Sequence, residues 1–440
     1  MVARQAILAL NAGSSSLKAT LFHHSQGALQ AAASATVERV GRPGATLSAS
    51  GQGASPVSAP DHGAAFAAVL AALTGGGGGG AGAATITAVG HRIVHGGLRT
   101  EPAPWSAGVA ADVQAATPLA PLHNPAALAT AAAARAALPA ALHVAVFDTA
   151  IHVASLPPAA FTYPLPPSLS APGALGLGAP PARRYGFHGI SCAAAVPIAA
   201  GALGVPATSL SSIIAHLGAG ASITATARGR SVHTSMGATP LEGLAMATRC
   251  GDLDPALPGL WLGAGVGVVP PGQLQGGDGG GGGGVARAAL SELLTTQSGL
   301  AGLSGLPGGD MRDVLAALDA GDAAATLAFS VWTHRARCHL GAALAAATAA
   351  AGALPSALIF TGGIGERSPR VRAALLDGLA PLGLGPLDPG ANGACAGLAP
   401  GAVVRVDDGR GHTSRVAVLV VGADEERAIA QAALDASPGR

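Results

Sequence analysis

The sequence predicts an α/β fold made of a duplicated domain, with a cleft between the two copies. Three observations predict it. A single hydrophobic core seldom grows past about 250–300 residues, so a chain of 440 residues asks for two domains. Short apolar strands alternate with alanine-rich helical stretches in both halves. Finally, "LNAGSS" from Leu10 overlays "LGAGAS" from Leu217 at an offset of 207 residues, agreeing at the Leu, Ala, Gly and final Ser.

Each half opens with a hairpin. Residues 6–10 and 17–22 read as strands around a Gly/Ser turn, and residues 213–217 and 223–227 repeat the arrangement around Gly218 to Ser222. Between them, residues 143–147 form a buried-type strand that ends at Asp148 and follows a helix over 125–137. Residues 357–360 form another strand, then "TGGIGE", then a helix with Ser368 as N-cap and Pro369 at its first position. Two glycine runs, 75–80 and 276–284, read as flexible surface insertions, because glycine loses so much backbone freedom on ordering.

Composition excludes several function classes. A net charge of +1 with only 11% charged residues leaves no basic stripe for nucleic acid. The apolar run at 6–10 is shorter than the roughly 7–15 residues of a signal-peptide core. The strongest membrane candidate, 340–354, is mostly alanine and short of the roughly 18 apolar residues a spanning helix needs. Cys192, Cys250, Cys338 and Cys395 stand far apart, without the CxxC spacing of a zinc or redox site, so a reduced, cytoplasmic protein is expected. The bias is informative too: of the 24 basic residues 23 are Arg, and Lys18 is the only lysine. Asparagine occurs only at Asn11, Asn124 and Asn392. In a chain that drifted to arginine wherever a generic cation served, Lys18 is needed as lysine.

Several segments carry chemistry. "NAGSSSLK", from Asn11 to Lys18, joins a glycine turn, hydroxyls including Ser14 and Ser16, and the sole lysine, a set that can wrap a phosphate. "HLGAGAS" supplies a second small-residue turn, with His216, Gly218 and Gly220. In "HRIVHGG", Arg92 lies inside a strand, where a guanidinium costs much desolvation unless it meets a bound anion or a structural carboxylate. Asp148 follows a strand, where open α/β sheets place functional groups; it suits Mg²⁺, and serves equally well locally as a helix N-cap. "RYGFHG" gathers Phe187 and His188 between glycines that imply a tight, exposed backbone. In 235–255, Thr239 and Pro240 shape a turn, Glu242 orders a following helix, and Arg249 is a second anion clamp, followed by two aspartates. "ADEER" offers Glu425 or Glu426 after the strand at 415–421, as a metal ligand or as an ordinary helix N-terminus.

This ordered set resembles the acetokinase (acetate kinase) family over nearly the whole chain. The resemblance implies duplicated ribonuclease-H-like domains, as in actin-like ATPases and sugar kinases. They would span 1–152 and 153–423, with a C-terminal helix at about 424–440 packing back on the first. It implies reversible phosphoryl transfer from ATP to acetate, with Mg²⁺ or alternatively Mn²⁺, in a homodimer with neither nucleic-acid nor membrane partners. It assigns Asn11, Arg92, His123, His188 and Arg249 to the transferring phosphoryl group. Asn11, Asp148 and Glu425 fall near the metal. Lys18, Ser14, Ser16, His216, Gly218 and Gly220 fall at the nucleotide phosphates, and Asp310, Arg312, Gly362, Gly363 and Gly365 at the adenosine. Val94, Leu122, Phe187 and Pro240 would line the pocket for the acid's methyl group, beside Arg92. Ala219, Cys192, Ala238 and Arg367 depart from the family pattern. The rivals are a propionate or butyrate kinase of the same fold and a catalytically silent nucleotide-binding protein.

Lys18→Arg is expected to impair ATP use although charge is kept, because a planar guanidinium replaces a compact ammonium. Steady-state kinetics with varied ATP check this; wild-type constants would remove the significance of the unique lysine.

Overall fold

The computed structural model describes residues 5–75, 85–176, 178–264, 282–409, 415–422 and 424–437. Residues 76–80 and 276–281 of the two glycine runs lie outside the described residues, whereas Gly282 to Gly284 open the helix Gly282–Thr296. The chain divides into two compact units, one of Met1–Ala194 with Ala423–Arg440 and one of Ala195–Gly422.

The first unit is built on β1 (Gln5–Ala12), β2 (Ser16–Ser25), β3 (Ala28–Glu38), β4 (Thr46–Ala49), β5 (Ser55–Pro56), β6 (Thr85–Ile93), β7 (Ala103–Pro104) and β8 (Leu142–Phe147), in the order β5-β4-β3-β2-β1-β6-β8-β7. β1, β2 and β3 form an antiparallel meander, while β1, β6 and β8 run parallel. Both faces of the sheet are covered, so β1 is apolar without alternation. Ala6, Leu8 and Leu10 pack with Ala65, Phe66 and Val69 of the helix His62–Thr74; Ile7 and Ala9 face Ile429 and Ala433 of the C-terminal helix Glu425–Asp435. That helix lies so close to β6 that a Cβ on Gly90 would fall 2.6 Å from the Ile429 side chain and 2.7 Å from its carbonyl oxygen, so only glycine fits.

The second unit repeats the plan with β9 (Ser212–Leu217), β10 (Ala221–Ala227), β11 (Arg230–Thr234), β12 (Ala357–Thr361), β13 (Val403–Arg405) and β14 (Ala417–Val421), ordered β11-β10-β9-β12-β14-β13. Here β9, β10 and β11 are the antiparallel meander and β9, β12 and β14 the parallel set. The shared order, third-second-first-fourth-fifth with the same strand directions, is the duplication expected from the two hairpins. Residues 340–354, the membrane candidate, fall largely in the helix Ala323–Ala351, which buries Ala328, Trp332, Ala336, Leu340, Ala343 and Ala347 at helical spacing. Among the described residues no helix is long and apolar enough to cross a membrane. No disulfide joins the four cysteines.

The unit boundary differs from the one expected at 152/153. Residues 153–194 group with the first unit because their backbone is tied there: His152 Nε2 donates to the Phe187 carbonyl (3.1 Å) and Gly189 N to Asp148 O (2.8 Å). Ile190 joins Ile429 and Val144 in one core cluster. The C-terminal helix packs on the first unit's sheet.

His152 is wholly buried, and burial pulls its pKa from 6.5 to about 4 despite the bond to Phe187. The unfolded chain therefore takes up this proton first. His152 contributes its full stability above pH 6.5 and loses it as pH falls towards about 4, by up to roughly 1.4 kcal/mol per pH unit. His152→Gln keeps a donor for the carbonyl but does not titrate. Its Tm is expected to fall less steeply than wild type between about pH 7 and 5, as read by thermal melts; parallel slopes would contradict a neutral buried imidazole.

Candidate active site

Parallel strands deliver their carboxyl ends to one edge, where open α/β sheets gather functional groups. Asn11 lies near the end of β1, Arg92 near the end of β6, and Asp148 immediately after β8. Lys18, at the start of antiparallel β2, sits opposite Asn11 in the ladder. Glu425 and Glu426 occupy the first turn of the C-terminal helix, where carboxylates complement the helix dipole; the cap itself is Asp424.

These residues form one network. Arg92 donates Nε and Nη2 to Oδ2 of Asp148 (3.0 and 2.7 Å) and Nη1 to Oδ1 of Asn11 (2.9 Å), with Glu425 Oε2 3.7 Å away. The Asn11 amide turns its Nδ2 to Glu425 (3.4 Å) and Glu426 (3.3 Å). Lys18 Nζ pairs with Glu426 at 2.9 Å, its side chain half-exposed. Two cations thus face three carboxylates, leaving one negative charge in excess. Burial pulls the Arg92 guanidinium down, but Asp148 and Glu425 together outweigh it and hold it above its ordinary value. Burial lifts Asp148 above the usual carboxylate range, against the pull of Arg92. Asp148 Oδ1 is buried with no hydrogen-bond partner of normal geometry, although the nearby Ile190 amide exerts a minor downward pull. Asp148 is not a helix cap: that position is Thr149, which makes no side-chain cap bond.

Beside this network stands a strained segment. His188 has φ of 56°, uncommon for a residue with a Cβ, and is half-buried. Gly189 is obligatory, since a Cβ there would lie 2.1 Å from the Asp148 carbonyl oxygen. The backbone is tight as expected but not exposed: Tyr185 and Phe187 are buried, packing tilted and edge-on against His95 at centroid distances of 4.4 and 5.6 Å. Of the residues assigned to the methyl pocket, Val94 and Phe187 are buried, Pro240 is half-buried in the second unit, and Leu122 is 41% exposed. His123 precedes the helix Asn124–Ala137 as its cap residue, without a side-chain cap bond.

In the first hairpin's turn Ser14 is exposed and Ser16 half-buried, and His62 Nε2 donates to the Gly13 carbonyl (2.9 Å). In the second unit, His216 is buried near the end of β9, and Gly218 and Gly220 close the turn through Gly218 N to Gly220 O (3.0 Å). Gly362, Gly363 and Gly365 lie in the short helix Gly362–Arg367 after β12. Asp310 caps the helix Met311–Asp319 through the Arg312 amide (2.8 Å) and pairs with the exposed Arg312 side chain (2.6 Å). Arg249 donates Nη1 to the Pro240 carbonyl (3.1 Å). Leu241 N bonds Thr239 Oγ1 (3.3 Å), the expected turn, but no helix follows Glu242 before Ala256.

Sequence reasoning missed several supports. Glu426, only an alternative to Glu425, is the residue that holds Lys18. Buried Asn124 clamps His95 through both its N–H and its carbonyl (3.2 and 3.0 Å). Asn392 takes two bonds from buried Arg372, which also donates to the Gly365 and Glu366 carbonyls. Asparagine scarcity marked both positions; nothing in the sequence marked His62 or Arg372.

The Acetokinase family model matches residues 6–431. The chain belongs to the acetokinase family. It is 44% identical to an acetate kinase of Leifsonia xyli subsp. xyli, covering 98% of both chains. Among solved structures, an acetate kinase of Porphyromonas gingivalis superposes with a TM-score of 0.79 at 33% identity, covering 98% of this chain and 99% of the other. A propionate kinase of Francisella tularensis gives 0.80 at 29%, with the same coverage. Family membership and the two like-ordered sheets agree with the duplicated actin-like ATPase plan.

Arg92→Ala is expected to cost stability as well as rate. It strands a buried carboxylate, worth about 3–5 kcal/mol, and removes a cation whose loss costs on the order of 10³-fold in kcat. Paired Tm and kcat measurements decide: lost stability with near-normal kcat would make Arg92 a structural salt bridge.

Proposed function

We propose that this chain is an acetate kinase that transfers the γ-phosphoryl group of ATP to acetate, giving acetyl phosphate and ADP, and reverses the reaction. The observation that carries the proposal is the Lys18–Asn11–Arg92–Asp148–Glu425–Glu426 network at the strand ends of a family member. A carboxylic acid is already ionised near neutral pH, so the attacking oxygen needs no general base. The chain's task is to position it in line and to meet the charge spread over the equatorial oxygens. We assign Arg92, His188 and Arg249 to that charge, with Asn11 and His123 alongside, and Lys18 and the two glycine turns to the nucleotide phosphates.

A divalent cation fits the donor set: Asp148 Oδ1 is a buried oxygen with no hydrogen-bond partner of normal geometry, among three carboxylates with one charge in excess. Among the described residues no three His, Cys, Asp or Glu side chains make a ready cage. Mg²⁺ needs no such cage, since it takes one or two carboxylates and completes its shell with water and substrate phosphates. Asn11, Asp148 and Glu425 would hold it, directly or through water, with Mn²⁺ as the alternative. When bound it would neutralise phosphate charge. We further propose that the enzyme works in the cytoplasm as a homodimer.

Acetate-dependent ADP release in a coupled assay tests the activity; ADP release that ignores acetate would return the silent nucleotide-binder. The propionate reading has the Francisella neighbour in its favour. Buried Val94 and Phe187 favour the smaller acid. One extra methylene is worth about 1–3 kcal/mol in such a pocket, so propionate should be slower by roughly 10- to 200-fold. Val94→Ala is expected to shift the acetate-to-propionate ratio of kcat/KM towards propionate. A wild-type preference for propionate, or an unchanged ratio in the variant, would favour the longer-chain enzyme.

A further inference from the structure

Residues 235–255 form neither helix nor strand, although much of the segment is buried. An irregular stretch of this length inside a compact unit is uncommon and usually functional. It carries Arg249 and Pro240, joined to each other by the guanidinium-to-carbonyl bond. Backbone bonds anchor its centre, among them Ala247 N to Ala219 O (3.1 Å), Cys250 N to Leu294 O (3.0 Å) and Leu300 N to Met246 O (2.9 Å), and a side chain three positions beyond Arg249 adds to them. Asp252 accepts the Gly243 N–H on Oδ1 (2.7 Å), and its own N–H donates to the Gly243 carbonyl (2.9 Å), a two-way clasp across nine residues of chain. Its other oxygen, Oδ2, takes His339 Nε2 (3.1 Å), and its carbonyl takes Arg335 Nη1 (2.8 Å). Arg335 and His339 are one turn apart on the helix Ala323–Ala351, which also packs on β9, β10 and β11.

Asp252 therefore closes the loop on itself and fastens it to the long helix Ala323–Ala351. Its neighbour Asp254 does something different: it takes the Ala256 N–H at the start of the helix Ala256–Ala264, the commonplace role of an aspartate there. We propose that Asp252 is a positioning residue for Arg249, holding the loop so that the guanidinium meets the transferring phosphoryl group. The proposal rests on the assignment of Arg249 to that group. Positioning matters at this scale because a displacement of about 1 Å costs on the order of 10²-fold in rate.

A double-mutant cycle tests it. Asp252→Ala is expected to lower kcat by about 10²-fold with KM for ATP changed only a few-fold, and Asp252→Asn, which keeps an acceptor for Gly243 and presents an amide to His339, to restore most of it. Arg249→Ala alone should lower kcat by on the order of 10³-fold. In that background Asp252→Ala should cost no more than about 3-fold, because the residue it positions is gone. If the two losses multiply, Asp252 does not act through Arg249 and the inference is overturned. If Arg249→Ala leaves kcat near normal, the assignment of Arg249 itself fails, a distinct result. Should Asp252→Ala not fold, His339→Ala, which removes only the helix-side support, passes through the same cycle: a smaller kcat loss that disappears with Arg249→Ala supports the proposal, and a multiplying loss overturns it.

Discussion

The structure of the first unit turns on one buried ion pair. Arg92 and Asp148 leave the carboxyl ends of adjacent parallel strands and meet at 2.7 Å, with 18% and 1% of their side chains exposed. Removing both charges from water is costly, and their attraction repays that only with good geometry and further hydrogen bonds. Asn11 supplies the additional bond to Arg92, then turns its amide to two glutamates that arrive from the other end of the chain. Each neighbour is thus explained by the need to complete the desolvation balance of that pair. The arrangement also brings two cations and three carboxylates together at the strand ends.

The two units share a sheet plan but not a chemistry. In the first, the hairpin ends in Asn11 and Lys18, whose side chains enter the ionic network. In the second, the equivalent turn runs through Gly218, Ala219 and Gly220, and Ala219 offers only its carbonyl, which accepts the Ala247 N–H at 3.1 Å. One copy presents an amide and an ammonium; the other presents backbone.

Much of this was legible in the sequence because strand ends leave a local signature. An apolar run followed by a polar residue located Asn11 and Asp148, and a cation inside a β-branched strand located Arg92. Asparagine scarcity pointed at Asn124 and Asn392 without saying what they hold. The boundary at residue 194 was not legible: it depends on long-range bonds such as Gly189 to Asp148, which no composition shift announces. Leu122 shows what a sequence cannot give, since its hydrophobic character did not predict its 41% exposure. Asp252 and Asp254 read alike in "GDLDP", and only their partners, a clasped loop against a helix start, separate them.

The fit of Ile429 over Gly90 bears on how the chain comes to be made. The second unit is continuous, Ala195–Gly422, whereas the first needs residues from both termini. During synthesis the whole of the second unit leaves the ribosome before the helix that covers β6 does. Until then the groove over Gly90 is bare apolar surface, and Lys18 and Asn11 have no glutamates to meet. A nascent chain that has not reached Glu425 therefore has Arg92, Asp148 and Asn11 in hand but neither glutamate that meets Asn11 and Lys18, so the charge network is closed only when the last helix docks.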